Sequence, residues 1–196
     1  MLFRSLVRGL LARLDRCREF NLRFRDDAVF ILERAGWQAC AALAAGLREA
    51  NVDIRVATVE ILRSLGPVGR PLGPLLAGLL RDPLTGLYAV EALGTTGWLA
   101  GAPFLLRLAG SPAPDLRQAT LLALGRMGAK SALPLLEAAL ADTARAPEEH
   151  LAAALSLGLL GDRTRAQTLL EGMSRRPDVH QETLRQHLEE LERHRP

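Results

Sequence analysis

Residues 115–141 read DLRQATLLALGRMGAKSALPLLEAALA, and the fold is decided by the pattern in this stretch. The first half spaces its apolar residues as a helix does and closes at Gly128, which suits the left-handed position that follows many helices. The second half carries Pro134 near its start, where proline is tolerated because its missing N–H would be unpaired anyway. The stretch therefore predicts two consecutive helices joined by a short turn.

The same pattern recurs along the chain at a fixed spacing. Its four clearest copies are residues 53–66, 84–97, 115–128 and 148–161. The glycines that close them, Gly66, Gly97, Gly128 and Gly161, are 31, 31 and 33 residues apart. A weaker copy covers residues 23–36, and residues 178–191 begin a sixth unit. Such a period is typical of stacked helical repeats, in which each unit buries its apolar face against its neighbours.

Local signals place the ends of the helices. Asp53 and Asp115 are predicted N-caps, because a carboxylate at that position can accept the free N–H groups of the first helical turn. Proline is expected in the first turn of three second helices, at Pro74, Pro103 and Pro134. The composition agrees with an all-helical chain, since 48% of residues are apolar but only 4% are aromatic.

The repeat resembles the HEAT repeat, in the short bacterial form also found in phycobilisome lyase proteins. The best match is carried by Asp115, Arg117, Ala119, Leu124, Gly125 and Gly128, followed by Ala132, Pro134 and Leu135. The resemblance covers roughly residues 20–192. Three residues depart from it: Gly86 and His150 stand where Arg is usual, and Tyr88 stands where Ala is usual.

The resemblance implies an all-α fold, an α-α superhelix of about five to six helix pairs. We expect two parts along the chain: residues 1–19 as a basic amphipathic capping helix, and residues 20–196 as a HEAT-like repeat domain that ends in a C-terminal cap helix. Leu93 and Leu124 occupy the same point of neighbouring units, so both are predicted to be buried.

The resemblance also implies that the second helices line the concave side, where a partner would bind. In residues 131–141 the apolar stripe predicts that Pro134, Glu137, Ala138 and Ala141 face this groove. Transferring the register to the other second helices gives the candidate partner-binding residues Arg81, Leu106, Arg107, Glu137, Leu170 and Glu171. The alternative is that the small residues of this face only let neighbouring repeats pack closely.

The candidate groove is built of small and apolar residues with a few charges of both signs. A nucleic-acid site would need many cations to meet phosphates, so we expect another protein as the partner and consider nucleic acid unlikely. The basic residues concentrate instead in residues 1–25, which carry seven Arg against Asp15 and Glu19.

Residues 1–17 form a predicted amphipathic helix with Arg4, Arg8 and Arg16 opposite its apolar half. Three roles remain open for it. The helix can cap the first repeat, dock on an anionic membrane or a partner, or act as a cleaved targeting segment. The expected location is the cytoplasm, with membrane association through this helix as an alternative, because no apolar run approaches the ~20 residues that span a bilayer.

Residues that could carry chemistry are few. Cys17 and Cys40 lie on predicted apolar faces, so packing is expected. His180, His187 and His194 recur every seven residues on the last predicted helix, and with Glu190 they supply at most three ligands, which favours a surface helix over a metal site. Trp37 and Trp98 follow closing glycines and are expected to wedge between repeats. The sequence therefore predicts no catalytic residues, no metal and no cofactor.

Three functions remain after these considerations. The leading prediction is a non-enzymatic scaffold or adaptor that binds a partner protein through the groove. The first alternative, implied by the family resemblance alone, is a tetrapyrrole (bilin) lyase subunit or chaperone. The second is a DNA-binding or DNA glycosylase protein of the HEAT-like kind.

Overall fold

The computed structural model describes residues 37–194, with side chains described from Cys40 onward except at Ala42. All regular structure in this range is helical, which confirms the predicted all-α class. The described residues fall into two compact units, residues 37–98 and residues 99–194. Several of the predictions concern parts of the chain outside the described residues. These parts are the predicted helix 1–19, the weak repeat copy 23–36, Arg4, Arg8, Arg16, Cys17 and the side chain of Trp37.

The unit of residues 37–98 contains four α-helices and a 3-10 helix between the second and the third. They are α1 (Trp37–Gly46), α2 (Val52–Leu65), the 3-10 helix (Gly66–Leu72), α3 (Gly73–Leu79) and α4 (Gly86–Thr96). Both α2 and α3 pack against α4. Ile61, Leu62, Leu76 and Leu93 are completely buried between these helices.

The unit of residues 99–194 contains six α-helices and two 3-10 helices. They are the 3-10 helix Leu99–Gly101, α5 (Ala102–Leu108), α6 (Pro114–Arg126), the 3-10 helix Lys130–Ala132, α7 (Leu133–Ala141), α8 (Pro147–Leu159), α9 (Arg163–Met173) and α10 (Gln181–Arg193). Helix α8 is central, because α6, α7, α9 and α10 all pack against it. The side chains from Leu151 to Leu157 are accordingly buried.

The closing glycines all have the positive φ that the repeat pattern predicts, although Gly66, with ψ −130°, lies outside the left-handed helical region. Positive φ angles, from 55° to 120°, occur at Gly66, Gly97, Gly128 and Gly161. No other residue in the described range has a positive φ. Leu93 and Leu124 are both completely buried, which confirms the register of the first helices. Gly125 has a packing role in that register: a Cβ there would lie 2.5 Å from the side chain of Ser156, so glycine lets α8 approach α6 closely.

The predicted aspartate N-caps are wrong by two residues. Asn51 caps α2, and its side-chain oxygen accepts from the backbone N–H of Asp53 at 2.8 Å. Helix α6 has Ala113 at its N-cap position and no side-chain cap, because Pro114, with φ already fixed near the helical value, starts the helix earlier than expected. Both aspartates lie in the first turn, where a carboxylate favours the helix through its dipole.

Candidate protein-binding face

The second helices of residues 99–194 follow one another along this unit. Helix α5 packs against the 3-10 helix Lys130–Ala132, which leads directly into α7. Helix α9 is joined to α7 by the guanidinium of Arg165, which donates to both oxygens of Glu137 at 2.5 and 2.6 Å. We call the exposed sides of α5, α7 and α9 the second-helix face.

The exposure of the candidate residues follows the predicted register at five of six positions. Arg107 and Glu171 are exposed, Leu106 and Glu137 are half-buried, and in the other unit Arg81 is exposed just after α3. The small residues Pro134, Ala138 and Ala141 are exposed on α7, as the groove assignment requires.

The assignment of Leu170 is wrong, because its side chain is completely buried. Leu170 belongs to a core cluster with Ala166 and Met173, together with residues of α8 and α10. The buried positions Leu136 and Leu170 are 34 residues apart, whereas the closing glycines Gly128 and Gly161 are 33 apart. The extra residue arises because α7 is entered through a 3-10 helix, while Asp162 caps α9 directly after Gly161.

Two charges of the second-helix face, those of Glu137 and Arg165, pair with each other. The hydrogen bonds from Arg165 lower the pKa of Glu137. The carboxylate of Glu171 accepts from Gln167 at 2.8 Å. Arg107 is different: its guanidinium lies over the ring of Phe104, with 5.1 Å between the guanidinium carbon and the ring centroid. Phe104 was not among the predicted residues, because the transferred register placed it outside the groove.

A second arrangement that the sequence did not reveal is an arginine clasp on the first helices. Arg117, the arginine of the repeat motif, donates to the backbone carbonyls of Ser111 and Pro112 at 2.9 and 3.1 Å. The same guanidinium donates to both oxygens of Glu149, from Nε at 2.9 Å and from Nη2 at 2.5 Å. It therefore holds the linker before its own helix and reaches α8 in the next repeat.

The carboxylate at the end of this clasp is fully buried. Glu149 is 0% exposed, and it also accepts from Arg145 at 2.7 Å. The hydrogen bond from Arg117 is the main cause that lowers the pKa of Glu149, with a further contribution from Arg145. A buried charge needs such partners, so these groups are occupied in holding the repeats together.

The unit of residues 37–98 contains a shallower clasp. Arg55 donates to the carbonyls of Glu49 and Ala50 at 2.8 and 2.9 Å, and to Asp82 at 3.2 Å. The pKa of Asp82 is lowered mainly by the backbone N–H of Leu84, which its carboxylate accepts at 2.9 Å. The same motif arginine thus performs the same task in both units.

The comparisons with known proteins agree with this geometry. The sequence model for HEAT repeats matches residues 72–149. The predicted resemblance to the HEAT repeat is therefore confirmed for this stretch.

Two solved structures share this class of fold. A chain in the structure of the complex of CpcE and CpcF of phycocyanin lyase from Nostoc sp. PCC7120 aligns with a TM-score of 0.65 at 23% identity, covering 89% of this chain and 73% of that one. An engineered protein aligns with a TM-score of 0.56 at 12% identity, covering 94% and 97%. A search of curated protein sequences gives no significant match.

The departures from the HEAT pattern have structural explanations. At Gly86 an added Cβ would lie 2.9 Å from the backbone oxygen of Leu80, so no arginine fits where the clasp would begin. Tyr88 is exposed on α4, and Leu84 and Leu87, which are nearby in the sequence, are also exposed. His150 takes over only the linker contact of the arginine, because its ring nitrogens lie 3.0 and 3.2 Å from the carbonyls of Asp142 and Ala146.

The histidines of the last helix do not converge. His187 is buried, and burial lowers its pKa to about 4. His180 caps the start of α10 through Thr183, and Glu190 is held by Arg126, with two distances of 2.7 Å. Across residues 37–194 no three side chains of His, Cys, Asp or Glu are arranged to hold a metal ion.

The remaining candidates serve packing. Trp98 lies over Gly73 at the start of α3, where its ring carbons are 2.3 Å from the position that a Cβ would take. Cys40 is half-buried, and burial raises the pKa of its thiol. Within the described range, no helix combines the length and apolarity needed to cross a membrane.

Proposed function

We propose that this HEAT-repeat chain is a non-enzymatic scaffold that binds another protein through the second-helix face. The observation that supports it most is the composition of that face: α7 presents Pro134, Ala138 and Ala141 to solvent, and the ion pair between Glu137 and Arg165 continues the surface onto α9. Small exposed side chains let a partner helix or loop approach the backbone closely. The strongest charge cluster, around Glu149, is committed to joining repeats.

Steric blocking of α7 tests this proposal. Tagged wild-type protein is used to capture partners from the cells in which it is made, and the captured proteins are identified by mass spectrometry. Ala138→Arg places a long side chain on the face, so we expect it to lose a specific partner. Ala144→Arg introduces the same side chain at an exposed alanine of the α7–α8 loop and serves as the matched control.

The outcome is decided by comparing these two variants at equal helical content. A partner that wild type and Ala144→Arg retain, but Ala138→Arg does not, supports the second-helix face as the binding surface. Equal retention by all three proteins would place binding elsewhere and refute the proposal.

A second candidate is a subunit or chaperone in bilin attachment, favoured by the likeness to the phycocyanin lyase complex over 89% of this chain. At 23% identity that likeness concerns the fold. The test is to co-express the chain with a phycocyanin subunit and a bilin, and to look for covalently attached pigment on a denaturing gel. Attachment that depends on this chain would favour this candidate over the general scaffold.

The DNA-binding alternative has less support. Residues 37–194 contain 16 Lys and Arg against 17 Asp and Glu. Arg55, Arg117 and Arg165 are already paired with carboxylates. Because phosphate contacts dominate affinity for nucleic acid, we expect no shift of duplex DNA in a low-salt gel assay.

A further inference from the structure

Phe104 and Arg107 form an exposed pair on one side of α5. The ring of Phe104 remains 40% exposed, whereas the neighbouring Leu105 is completely buried. The guanidinium of Arg107 lies over that ring at 5.1 Å. An aromatic ring that stays in water gains free energy when a partner covers it, and aromatic residues and arginine are enriched where binding energy concentrates. We call this pair the Phe104–Arg107 surface.

The charge of this surface lacks a partner of opposite sign. None of the carboxylates in residues 37–194 forms an ion pair with Arg107, in contrast to the pairing of Glu137 with Arg165 on the neighbouring helices. Arginine can stack its planar face on an aromatic ring while the N–H groups at its edge still donate to a carboxylate. The ring also holds the guanidinium in place, so less side-chain entropy is lost on binding.

We propose that the Phe104–Arg107 surface binds a segment of a partner protein that presents a carboxylate beside an apolar side chain, as the acidic flank of an amphipathic helix does. The carboxylate pairs with the edge of the Arg107 guanidinium, and the apolar side chain covers the exposed part of the Phe104 ring next to Pro103. This inference rests on the proposed function, since it names the chemistry of the partner that the second-helix face binds.

The surface can be tested with synthetic probes before any natural partner is known. The probes are fluorescein-labelled peptides of roughly four helical turns, with leucine at positions i, i+3, i+4 and i+7 and either glutamate or glutamine beside them. A single-stranded oligothymidine is the third probe, because an exposed aromatic ring with an arginine can also stack on bases. Binding to the full chain is followed by fluorescence polarisation.

We expect wild type to bind the glutamate peptide about tenfold more tightly than the glutamine peptide, because a charge-assisted hydrogen bond is lost in the latter. Arg107→Gln should bind both peptides equally weakly, so the two changes are not additive. Phe104→Ala should weaken both peptides, and Phe104→Leu should restore part of the loss if the ring acts through apolar contact. Arg175→Gln, at an exposed arginine after α9, is the matched control and should behave as wild type.

Several results would overturn the inference. They are equal binding of the two peptides by wild type, an unchanged preference in Arg107→Gln, no peptide binding at all, or binding of the oligothymidine in preference to the glutamate peptide. Each leaves the scaffold proposal standing if Ala138→Arg still loses its partner. If Ala138→Arg retains every partner, the proposed function itself fails.

Discussion

Arg55 and Arg117 occupy the same place in their repeats, yet they meet carboxylates in different surroundings. Each holds two carbonyls of the preceding linker, at distances between 2.8 and 3.1 Å. In residues 37–98 the acid is Asp82, whose side chain is 24% exposed, whereas in residues 99–194 it is Glu149, whose side chain is 0% exposed and has a second arginine. The arginine at this motif position thus forms an ion pair that solvent screens in residues 37–98, and an ion pair with a buried carboxylate in residues 99–194.

The difference shows that the repeat motif specifies the arginine, but it does not specify how much the ion pair of that arginine contributes to stability. Ion pairs near solvent contribute little, because water and salt screen them. A buried carboxylate depends on its partners, since it has no water to replace them. The unit of residues 99–194 should therefore respond more to changes in charge and pH than residues 37–98, although both should respond alike to loss of core volume.

The largest effects are expected from the equivalent core leucines. Leu93→Ala and Leu124→Ala each remove a completely buried side chain at the same point of neighbouring repeats. Each should lower the free energy of unfolding by ~2–5 kcal/mol, from lost burial and the cavity left behind. Urea denaturation followed by circular dichroism measures both. Losses under about 1 kcal/mol at either site would show that its side chain is not packed as described.

The next effect concerns pH and belongs to one unit, because every histidine of the chain lies beyond residue 149. Burial lowers the pKa of His187 from 6.5 to about 4, while the charge of Glu190 raises this pKa and the charge of Arg126 lowers it. Between these two pH values the unfolded chain binds a proton that the folded chain does not. The contribution of His187 to the free energy of unfolding is therefore fully present above pH 6.5, and it falls by roughly 3 kcal/mol as the pH drops to about 4.

The measurement is the free energy of unfolding from urea curves at a series of pH values. His187→Leu should flatten the profile within that window, while carboxylates with lowered pKa such as Glu149 act at lower pH. A His187→Leu variant with the same pH dependence as wild type would contradict the assignment.

A smaller effect should separate the two clasps directly. Glu149→Gln keeps the shape of the side chain but removes its charge, and should cost about 2 kcal/mol through the weakened bonds from Arg117 and Arg145. Asp82→Asn retains an oxygen that can accept from Leu84 and should cost less. Raising the salt concentration should reduce the effect of Asp82→Asn and leave that of Glu149→Gln nearly unchanged. Equal losses with equal salt dependence would refute the contrast between the two units.

The smallest expected effect lies where the arginine is missing. Gly86→Ala places a Cβ 2.9 Å from the backbone oxygen of Leu80, and backbone cannot move aside as a side chain can. We expect a loss of about 1 kcal/mol or more in urea denaturation. Gly78→Ala is the matched control, because nothing lies within 4 Å of its Cβ position on α3. This control should be neutral or slightly stabilising, since alanine favours a helix.

The features that the sequence predicts correctly are those that depend on local backbone chemistry or on the period. The closing glycines have the positive φ that only glycine adopts readily. Leu93 and Leu124 are both buried because the repeat spacing places them at equivalent positions of successive first helices. The predicted aspartate caps are wrong because both helices begin one residue before the aspartate. Asn51 caps the helix that contains Asp53, and Pro114 is the first residue of the helix that contains Asp115.

The candidate site was less predictable, for reasons visible at single residues. Leu170 was misplaced because a 3-10 helix precedes α7 but not α9, and this changes the register by one residue. Phe104 was missed because the transferred register placed it outside the groove, and its helix of seven residues is too short for its own periodicity to correct that register. The pairing of Arg117 with Glu149 joins residues 32 positions apart, and nothing in the local pattern distinguishes Glu149 from Glu148.

The arginine clasp also has a consequence for how the chain matures on the ribosome. The linker carbonyls of Ser111 and Pro112 are held by Arg117, which is synthesised later, and the guanidinium gains its carboxylate only when Glu149 has emerged. The clasp of Arg117 can therefore close only after the next repeat has been synthesised as far as Glu149. A nascent chain that ends between Arg117 and Glu149 has the arginine but not the carboxylate that it joins.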